Sequence, residues 1–272
     1  PYTGATNIAA GATAQFGNRG TNGGSNGLIS GNVTNNGAMI VNLSSLFTSY
    51  SGVISGSGTF EQAGIGTLAL TGNNTYSGLT TISSGTLKIG NGGTTGSVAG
   101  NIQNNSELAF DRSDNFTFSN LISGTGRLTK GGTGTMTLAS AQAYTGTTAV
   151  SQGTLKLGGD NLLVSTASLF IAGGTFDLAN HNQTVGAFSS GTGTVALGSG
   201  SLTFGNSLNR EFQGTVTGTG SLIKQGTGTQ TMSGNSSTYT GTTTINNGTM
   251  LVTGNLSNSA TTANSGGILG GT

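Results

Sequence analysis

Side chains that could do chemistry are scarce in this chain of 272 residues, which holds one histidine, seven acidic residues, eight basic residues and no cysteine. A Ser-His-Asp triad would have to use His181, with Asp177 or Asp160 orienting its ring. The polar neighbours favour another interpretation, in which His181 is a surface residue of the turn Asn180-His181-Asn182. No P-loop, zinc-protease or Cys/His metal pattern is present. The sequence therefore predicts no catalytic residue, no cofactor and no metal.

The densest group of charges is Glu107, Asp111, Arg112 and Asp114. Paired carboxylates are the machinery of glycoside hydrolysis, so this group is the best candidate for acid/base work. Glu107 and Asp111, however, flank the apolar stretch 108–110, and Asp114 lies in a turn-like Ser-Asp-Asn sequence. The pattern favours a solvated loop over an active cleft.

Four lysines recur at two positions of a repeat, Lys130 and Lys224 at one and Lys88 and Lys156 at the other. They form either a sparse basic stripe for acidic glycans or a set of outward, solubilising side chains on strands, and the second interpretation is favoured. If the chain has a ligand-facing stripe, Lys130 and Lys224 are its predicted members. Eight basic residues are too few for nucleic acid, whose affinity comes from many phosphate contacts.

Tyr76, Tyr144 and Tyr239 recur in the same way. They are either exposed platforms for sugar stacking or side chains packed at a corner, and the corner is favoured. The threonine runs Thr80-Thr81 and Thr242–Thr244 resemble parts of a flat ice-binding face. Such a face needs regular Thr-x-Thr rows, which the sequence does not show, so no such face is predicted.

These residues belong to copies of one segment, at about 50–90, 118–158 and 212–254, with a partial copy at 1–17. Each full copy opens with an aromatic residue, reaches a Gly-x-Gly six residues later, and has its tyrosine 20, 20 or 21 residues after that first glycine. Another glycine follows the tyrosine by nine residues. The predicted structural positions of the repeat are Gly56, Gly124, Gly218, Tyr76, Tyr144, Tyr239, Gly85, Gly153 and Gly248. A repeat of this size predicts a solenoid or an array.

The copies begin at residues 50, 118 and 212, in steps of 68 and 94. Uneven steps argue against a propeller, whose blades need a near-constant period. Within the copies, short alternating runs such as Thr86-Leu87-Lys88-Ile89 are bounded by some of the 52 glycines, which indicates short strands joined by turns. We therefore predict an all-β fold, a single-stranded parallel β-helix of roughly a dozen coils with about 20 residues in each. Residues 1–272 are expected to form one continuous segment.

The repeat resembles the passenger-associated transport repeat of bacterial autotransporters, with the frame G-T-G-x-L-x-K-x-G-x-G-T followed by Y-[ST]-G-x-T-T and G-T-L. The clearest copy is Gly124–Leu155; the first copy departs by Gln62 in place of lysine, and the third by Met250 in place of leucine. The resemblance implies a right-handed parallel β-helix that leaves a Gram-negative cell through an outer-membrane β-barrel translocator. It also implies a location at the cell surface or outside the cell, and repeats that assist secretion and folding.

Several functions fit such a passenger. The leading expectation is adhesion, self-association or a structural stalk, with host surface molecules or identical passengers as partners. The alternatives are a soluble effector released by proteolysis that engages a host receptor, and the scaffold of an enzyme whose catalytic part lies elsewhere. No run of 18 apolar residues occurs, so no membrane span is predicted. The polar, Gly-rich ends suggest an excerpt from a longer array.

Overall fold

The computed structural model describes residues 4–17, 29–44, 46–236, 238–256 and 258–271, and these residues form 32 short strands and no helix. The strands of the first half are β1 Thr6–Ile8, β2 Thr13–Phe16, β3 Val33–Asn35, β4 Ala38–Val41, β5 Thr48–Tyr50, β6 Ile54–Ser55, β7 Thr59–Gln62, β8 Thr67–Leu70, β9 Thr80–Ile82, β10 Thr86–Ile89, β11 Ile102–Asn104, β12 Glu107–Phe110, β13 Phe116–Phe118, β14 Ile122–Ser123, β15 Arg127–Lys130 and β16 Thr135–Leu138. The strands of the second half are β17 Thr148–Val150, β18 Thr154–Leu157, β19 Ser168–Ile171, β20 Thr175–Asp177, β21 Gln183–Val185, β22 Ala187–Ser190, β23 Thr194–Ala196, β24 Ser201–Phe204, β25 Arg210–Phe212, β26 Thr215–Thr217, β27 Ser221–Lys224, β28 Thr229–Met232, β29 Thr242–Ile245, β30 Gly248–Val252, β31 Ala260–Ala263 and β32 Gly267–Gly271.

The strands fall into two compact units, of which the first comprises Pro1–Asp114 and Asn120–Thr133. Its strands pair in parallel in three sheets, with the orders β1-β3-β6, β2-β4-β7-β9-β11-β14 and β5-β8-β10-β12-β15. Neighbours in each sheet are not neighbours in sequence, because the chain visits the other sheets before it returns. This is the topology of a β-helix.

The second unit comprises Asn115–Ser119 and Gly134–Thr272, and it is built in the same way. Its three parallel sheets have the orders β13-β16-β18-β20-β23-β26, β21-β24-β27-β29-β31 and β17-β19-β22-β25-β28-β30-β32. The longest sheet has six strands in the first unit and seven in the second, and successive strands of a sheet are one coil apart. The described residues therefore form about a dozen coils, which confirms the predicted parallel solenoid.

Coil length follows from the register. In the first unit, Thr67, Thr86, Glu107 and Arg127 are successive register partners, so the steps are 19, 21 and 20 residues. In the second unit, the steps from Thr135 through the fourth threonine partner at 215 are 19, 21, 19 and 21 residues. The predicted coil of about 20 residues is therefore confirmed.

Each full copy of the repeat spans two coils and contains the same five strands. They are β6 to β10 in the first copy, β14 to β18 in the second and β26 to β30 in the third. In the second unit, the equivalent pairs β16–β18 and β28–β30 belong to different sheets. The repeat is therefore a frame that can begin on more than one face of a coil.

The core consists of every second side chain of the strands. On β10, Leu87 and Ile89 are buried, whereas Thr86 and Lys88 stay partly exposed. Register places like residues above one another, as in the buried row Leu70, Ile89 and Phe110. Because each such side chain contributes about 1.5–3 kcal/mol on burial, these inner rows are what holds adjacent coils together. The partial copy at 1–17 begins at Tyr2 and Thr3, which lie outside the described residues.

Candidate functional site

The three repeat tyrosines are core residues. Tyr76, Tyr144 and Tyr239 are 0%, 1% and 0% exposed, so none is a surface platform for sugars. The hydroxyl groups of Tyr76 and Tyr144 lie 2.6 and 2.5 Å from the hydroxyl oxygens of the threonines four residues later. Burial raises the pKa of Tyr76 and Tyr144 well above the ordinary tyrosine value, and the threonine hydrogen bonds offset part of that shift. These phenols therefore stay neutral and structural.

The tyrosine of the third copy has a fuller set of partners. The hydroxyl of Tyr239 donates to the carbonyl oxygen of Thr242 at 2.5 Å and accepts from the amide of Leu222 at 3.1 Å. The hydroxyl of Thr243 also donates to it, at 3.4 Å. Through Leu222, this side chain reaches the backbone of the preceding coil.

The repeat glycines occupy turns that a side chain would disturb. Gly56, Gly124 and Gly218 have φ angles of 101°, 99° and 108°, a region that other residues rarely adopt. A β-carbon on Gly56 or Gly124 would also clash with the carbonyl oxygen of Asn35 or Asn104 in the preceding coil. The later repeat glycines share the left-handed backbone, with φ of 63°, 59° and 69° at Gly85, Gly153 and Gly248.

The structure corrects the expectation that Lys130 and Lys224 face outward towards a ligand. Their exposed fractions are 0% and 2%. Lys130 continues the inner row after Phe110, and Lys224 lies in the inner row between Phe204 and Ile245. A side chain at an inward position of a strand cannot form an external stripe, whatever its charge.

The ammonium groups of both lysines donate hydrogen bonds to backbone carbonyl oxygens. The Nζ atom of Lys130 donates to the carbonyl oxygens of Gly131 and Gly132 at 3.3 and 2.5 Å. The Nζ atom of Lys224 donates to the carbonyl oxygens of residues 225, 226 and 247 at 2.6, 2.7 and 3.2 Å. Each lysine therefore caps the turn that follows its strand, where carbonyl groups would otherwise be buried without a donor.

The first copy performs the same task without a charge. Gln62 is 1% exposed, and its amide nitrogen donates to the carbonyl oxygens of Gly64 and Gly66 at 2.9 and 3.3 Å. We call Gln62, Lys130 and Lys224 the turn caps. What the turn caps share is a long side chain that ends in a donor.

Burial has the expected effect on the two charged turn caps. It lowers the pKa of Lys130 to about 8, and the Asp111 carboxylate offsets part of that shift. Burial also lowers the pKa of Lys224. The cause is that an ammonium group loses more hydration free energy on burial than a neutral amine does.

The carboxylates of the charged cluster are engaged in separate structural pairs. Asp114 lies 2.6 Å from Arg112, whose guanidinium holds the pKa of that carboxyl below its usual range. Asp111 lies 2.5 Å from Lys88 and accepts from the amide of residue 132. Glu107 accepts from the hydroxyl of Thr129 at 3.0 Å. Each carboxylate has a separate partner, and Glu107 lies on strand β12 rather than in the predicted solvated loop.

The single histidine lies on the surface. The Nδ1 atom of His181 is 3.3 Å from Asp160, and the two side chains are 37% and 58% exposed. The other triad candidate, Asp177, accepts from the amide of Ala179 instead. Within the described part of the chain, no serine hydroxyl bonds to His181, and no group of three metal-ligating side chains occurs. Across the same residues, no helix is long and apolar enough to span a membrane.

The structure also shows a surface that the sequence reasoning missed. Five threonines stand in register on the outer face of one sheet of the second unit, although the sequence was expected to lack such regular rows. A signal was present, because each of the five follows a glycine and the Gly-Thr pairs are spaced like the coils. Each of the five threonines comes from a different coil, so the row cannot be recognised within a single repeat. The five residues are Thr135, Thr154, Thr175, Thr194 and Thr215.

Comparison with known proteins identifies the repeat. The family model of the passenger-associated-transport-repeat matches residues 60–89, 128–157 and 222–252. Each matched stretch holds one turn cap and one buried tyrosine. The Adhesin BmaC autotransporter of Brucella suis biovar 1 (strain 1330) is 38% identical to this chain over 269 residues. The chain belongs to the autotransporter passengers.

The aligned region covers 82% of this passenger segment, and the segment spans 8% of the length of that curated relative. No solved structure matches the passenger segment. An autotransporter passenger is exposed at the surface of a Gram-negative bacterium or secreted from it.

Proposed function

We propose that this passenger segment is an adhesion module that attaches the bacterium to a surface, either of a host or of another bacterium. It binds through the outward side chains of its coils, by many weak hydrogen bonds and van der Waals contacts. The first support for the proposal is the inward direction of the large side chains of the repeats. The tyrosines and turn caps are directed inward and are bonded to backbone or to threonine. What is left for a partner is the outer surface.

That outer surface is rich in short polar side chains. The outward row of the sheet β21-β24-β27-β29-β31 reads Thr184, Thr203, Ile223, Thr244 and Thr262, and a parallel row reads Ser201, Ser221, Thr242 and Ala260. Low charge has a physical reason here, because like charges stacked about 4.8 Å apart would repel along the row. Rows of hydroxyl groups suit a ligand that is itself extended and repetitive, such as a polysaccharide or another β-rich protein.

The name of the relative supports the same proposal, since that autotransporter is described as an adhesin. That name and the β-solenoid fold also favour a non-enzymatic role over the scaffold of an enzyme. A released effector remains an alternative that an experiment must separate.

The test displays the segment on a non-adherent Gram-negative strain through an autotransporter barrel, with barrel-only cells as the control. We expect displaying cells to attach to host cells or to clump, and the purified segment to compete with that attachment. If displaying cells do neither while the free segment changes host-cell behaviour, the effector alternative is correct. Turnover of polysaccharide or peptide that is abolished by Asp111→Asn or His181→Asn would contradict the non-enzymatic role.

We also propose that the repeats assist secretion and folding, and that the turn caps are the residues responsible. Each cap supplies hydrogen bonds to the carbonyl groups of the turn that leads the chain from one strand to the next. The expected result is that Lys130→Met lowers the amount of segment displayed at the surface, whereas Lys130→Gln, which copies the first repeat, leaves it unchanged. Equal display of the two variants would contradict this role.

A further inference from the structure

The outer face of the sheet β13-β16-β18-β20-β23-β26, in the second unit, is made of two rows. The first is the row of five threonines from Thr135 to Thr215 described above. The second lies two residues further along each strand and is shared by six strands. In register order its members are Thr117, Thr137, Lys156, Asp177, Ala196 and Thr217.

The threonine hydroxyl groups of this face form no hydrogen bonds with other described residues. Among the described residues, no hydrogen bond is formed by the side chains of the five threonines in the first row. All five are partly exposed, and every side chain of the second row is small except for the two charges. The face is therefore shallow, regular and rich in unused hydrogen-bonding capacity.

The two charges are adjacent and of opposite sign. Lys156 and Asp177 are direct register partners on neighbouring strands. Neither forms an ion pair within 4.0 Å in the part of the chain that the structure describes. One oxygen of Asp177 accepts from the amide of Ala179 at 2.8 Å, which leaves the other oxygen available to a partner.

The position of the charges within the row is symmetric. The six members read Thr, Thr, Lys, Asp, Ala, Thr, so the centre of the row falls between Lys156 and Asp177. A twofold axis parallel to the strands and passing between β18 and β20 would place a second copy face to face with its coils in reverse order. Lys156 would then meet Asp177 of the other copy, Asp177 would meet the other Lys156, and Thr117 would meet Thr217. Such self-complementarity is what a closed, isologous dimer requires.

We infer that this face is a self-association surface, and that its occupant is a second copy of the same chain in antiparallel orientation, held by two reciprocal Lys156–Asp177 pairs and by contacts between threonine rows. The inference rests on the proposed function, in that it names identical passengers as one partner of the adhesion module. It explains why a face that is otherwise uncharged carries two opposite charges at its centre.

The face is small, so the affinity between two copies is expected to be low. Six strands at about 4.8 Å span roughly 29 Å, and two rows are about 7 Å apart, so the contact is well below the area of a stable interface. A single pair of chains should associate weakly. Many copies on two apposed cells would reinforce one another by multivalency.

The test measures the mass of the purified 272-residue chain by sedimentation velocity, from micromolar to millimolar concentration and at low and high salt. We expect the mass to rise towards that of a dimer with concentration, and high salt to oppose the rise. Lys156→Glu and Asp177→Lys should each weaken self-association at least about tenfold, because like charges then meet across the interface.

The decisive sample is an equimolar mixture of these two variants. The Lys156→Glu face carries two negative charges and the Asp177→Lys face carries two positive charges, so the mixture should associate although neither variant does so alone. The double variant, in which both charges are exchanged, should recover wild-type association. Arg210→Asp is the matched control, since Arg210 is exposed on β25 in another sheet and, among the described residues, its side chain donates only to the carbonyl oxygen of its neighbour Asn209. It should associate like wild type.

A wild-type chain that stays monomeric at millimolar concentration would overturn the inference. The dimer is also wrong if either single variant associates as well as wild type, or if the mixture associates no better than its components. The cell assay separates this failure from failure of the proposed function. If displaying cells attach to host cells while the chain stays monomeric, the dimer is wrong and adhesion stands. If the chain forms the dimer but displaying cells neither attach nor clump, adhesion is wrong.

Discussion

The turn cap of the first copy differs in charge from those of the second and third copies. Gln62 donates to two carbonyl oxygens and carries no charge, whereas Lys130 and Lys224 place an ammonium group in the same place. All three are at most 2% exposed. The position therefore requires a buried donor on a long side chain, and the positive charge is a cost that the fold tolerates.

The largest effect is expected when a donor is removed altogether. Lys224→Met keeps the length of the side chain but leaves three carbonyl oxygens without their donor. Because unsatisfied buried carbonyl groups are costly, the free energy of unfolding should fall by about 3 kcal/mol. Urea denaturation measures it, with Lys156→Met on the outer face as the control that should change little. Equal effects of the two variants would contradict the capping role.

The buried tyrosines give the next largest effect, and again the copies differ. Tyr239→Phe removes a hydroxyl with three partners, and Tyr144→Phe removes one bonded to a single threonine. We expect losses of about 2 and about 1 kcal/mol in unfolding free energy, since each buried partner is left unpaired. The same denaturation experiment ranks them. A larger loss for Tyr144→Phe would show that the number of partners does not decide the cost.

The charge of Lys130 should make the free energy of unfolding depend on pH. The pKa of Lys130 falls from 10.5 to about 8 on folding, so the folded state binds this proton less tightly than the unfolded state. Below pH 8 the lysine is protonated in both states, and the full cost of burying the charge applies. Between pH 8 and 10.5 the folded protein releases the proton first, so stability contributed by this residue rises with pH.

The measurement compares wild type with Lys130→Gln at several pH values from about 7 to about 10. Tyrosines that ionise on unfolding affect both proteins alike, so the difference isolates the lysine. We expect wild type to gain stability relative to the variant as the pH rises. A difference that stays flat would mean that Lys130 keeps its ordinary pKa in the folded state.

The smallest effect is expected when one cap replaces another. Lys130→Gln reproduces the first copy, and its unfolding free energy at neutral pH should stay within about 1 kcal/mol of wild type. The reciprocal change, Gln62→Lys, should add a second lysine-dependent rise of stability with pH to the first unit, beside that of Lys130. A large loss in Lys130→Gln would indicate that the second copy needs the charge as well as the donor.

Much of the fold could be predicted from the sequence, because the alternation of side chains and the glycine-bounded runs report local geometry directly. The burial of the turn caps could also have been read there. On β15, Leu128 points inward, and a period of two places Lys130 on the same side. Lys130 was nevertheless predicted to face outward because lysine is charged. The carbonyl oxygens that accept hydrogen bonds from its ammonium group belong to the turn that follows in the sequence.

The outer threonine row and its charge pair could not be read in the same way. Which residues meet across coils depends on turn lengths, which vary between coils by two residues. An error of one residue in one turn would move Lys156 away from Asp177 and reverse the faces of all later positions. Local patterns fix the strands, whereas the surface depends on the register between strands that are about 20 residues apart.

The repeat can begin on more than one face of a coil, and this property affects how the chain can change in evolution. A duplication or deletion of one coil, 19 or 21 residues in the threonine row, adds or removes a single layer about 4.8 Å thick and leaves every other layer in its place. A change of one residue within a strand would instead exchange core and surface beyond it. The number of coils can therefore change in whole steps, while the outward side chains of each layer change separately.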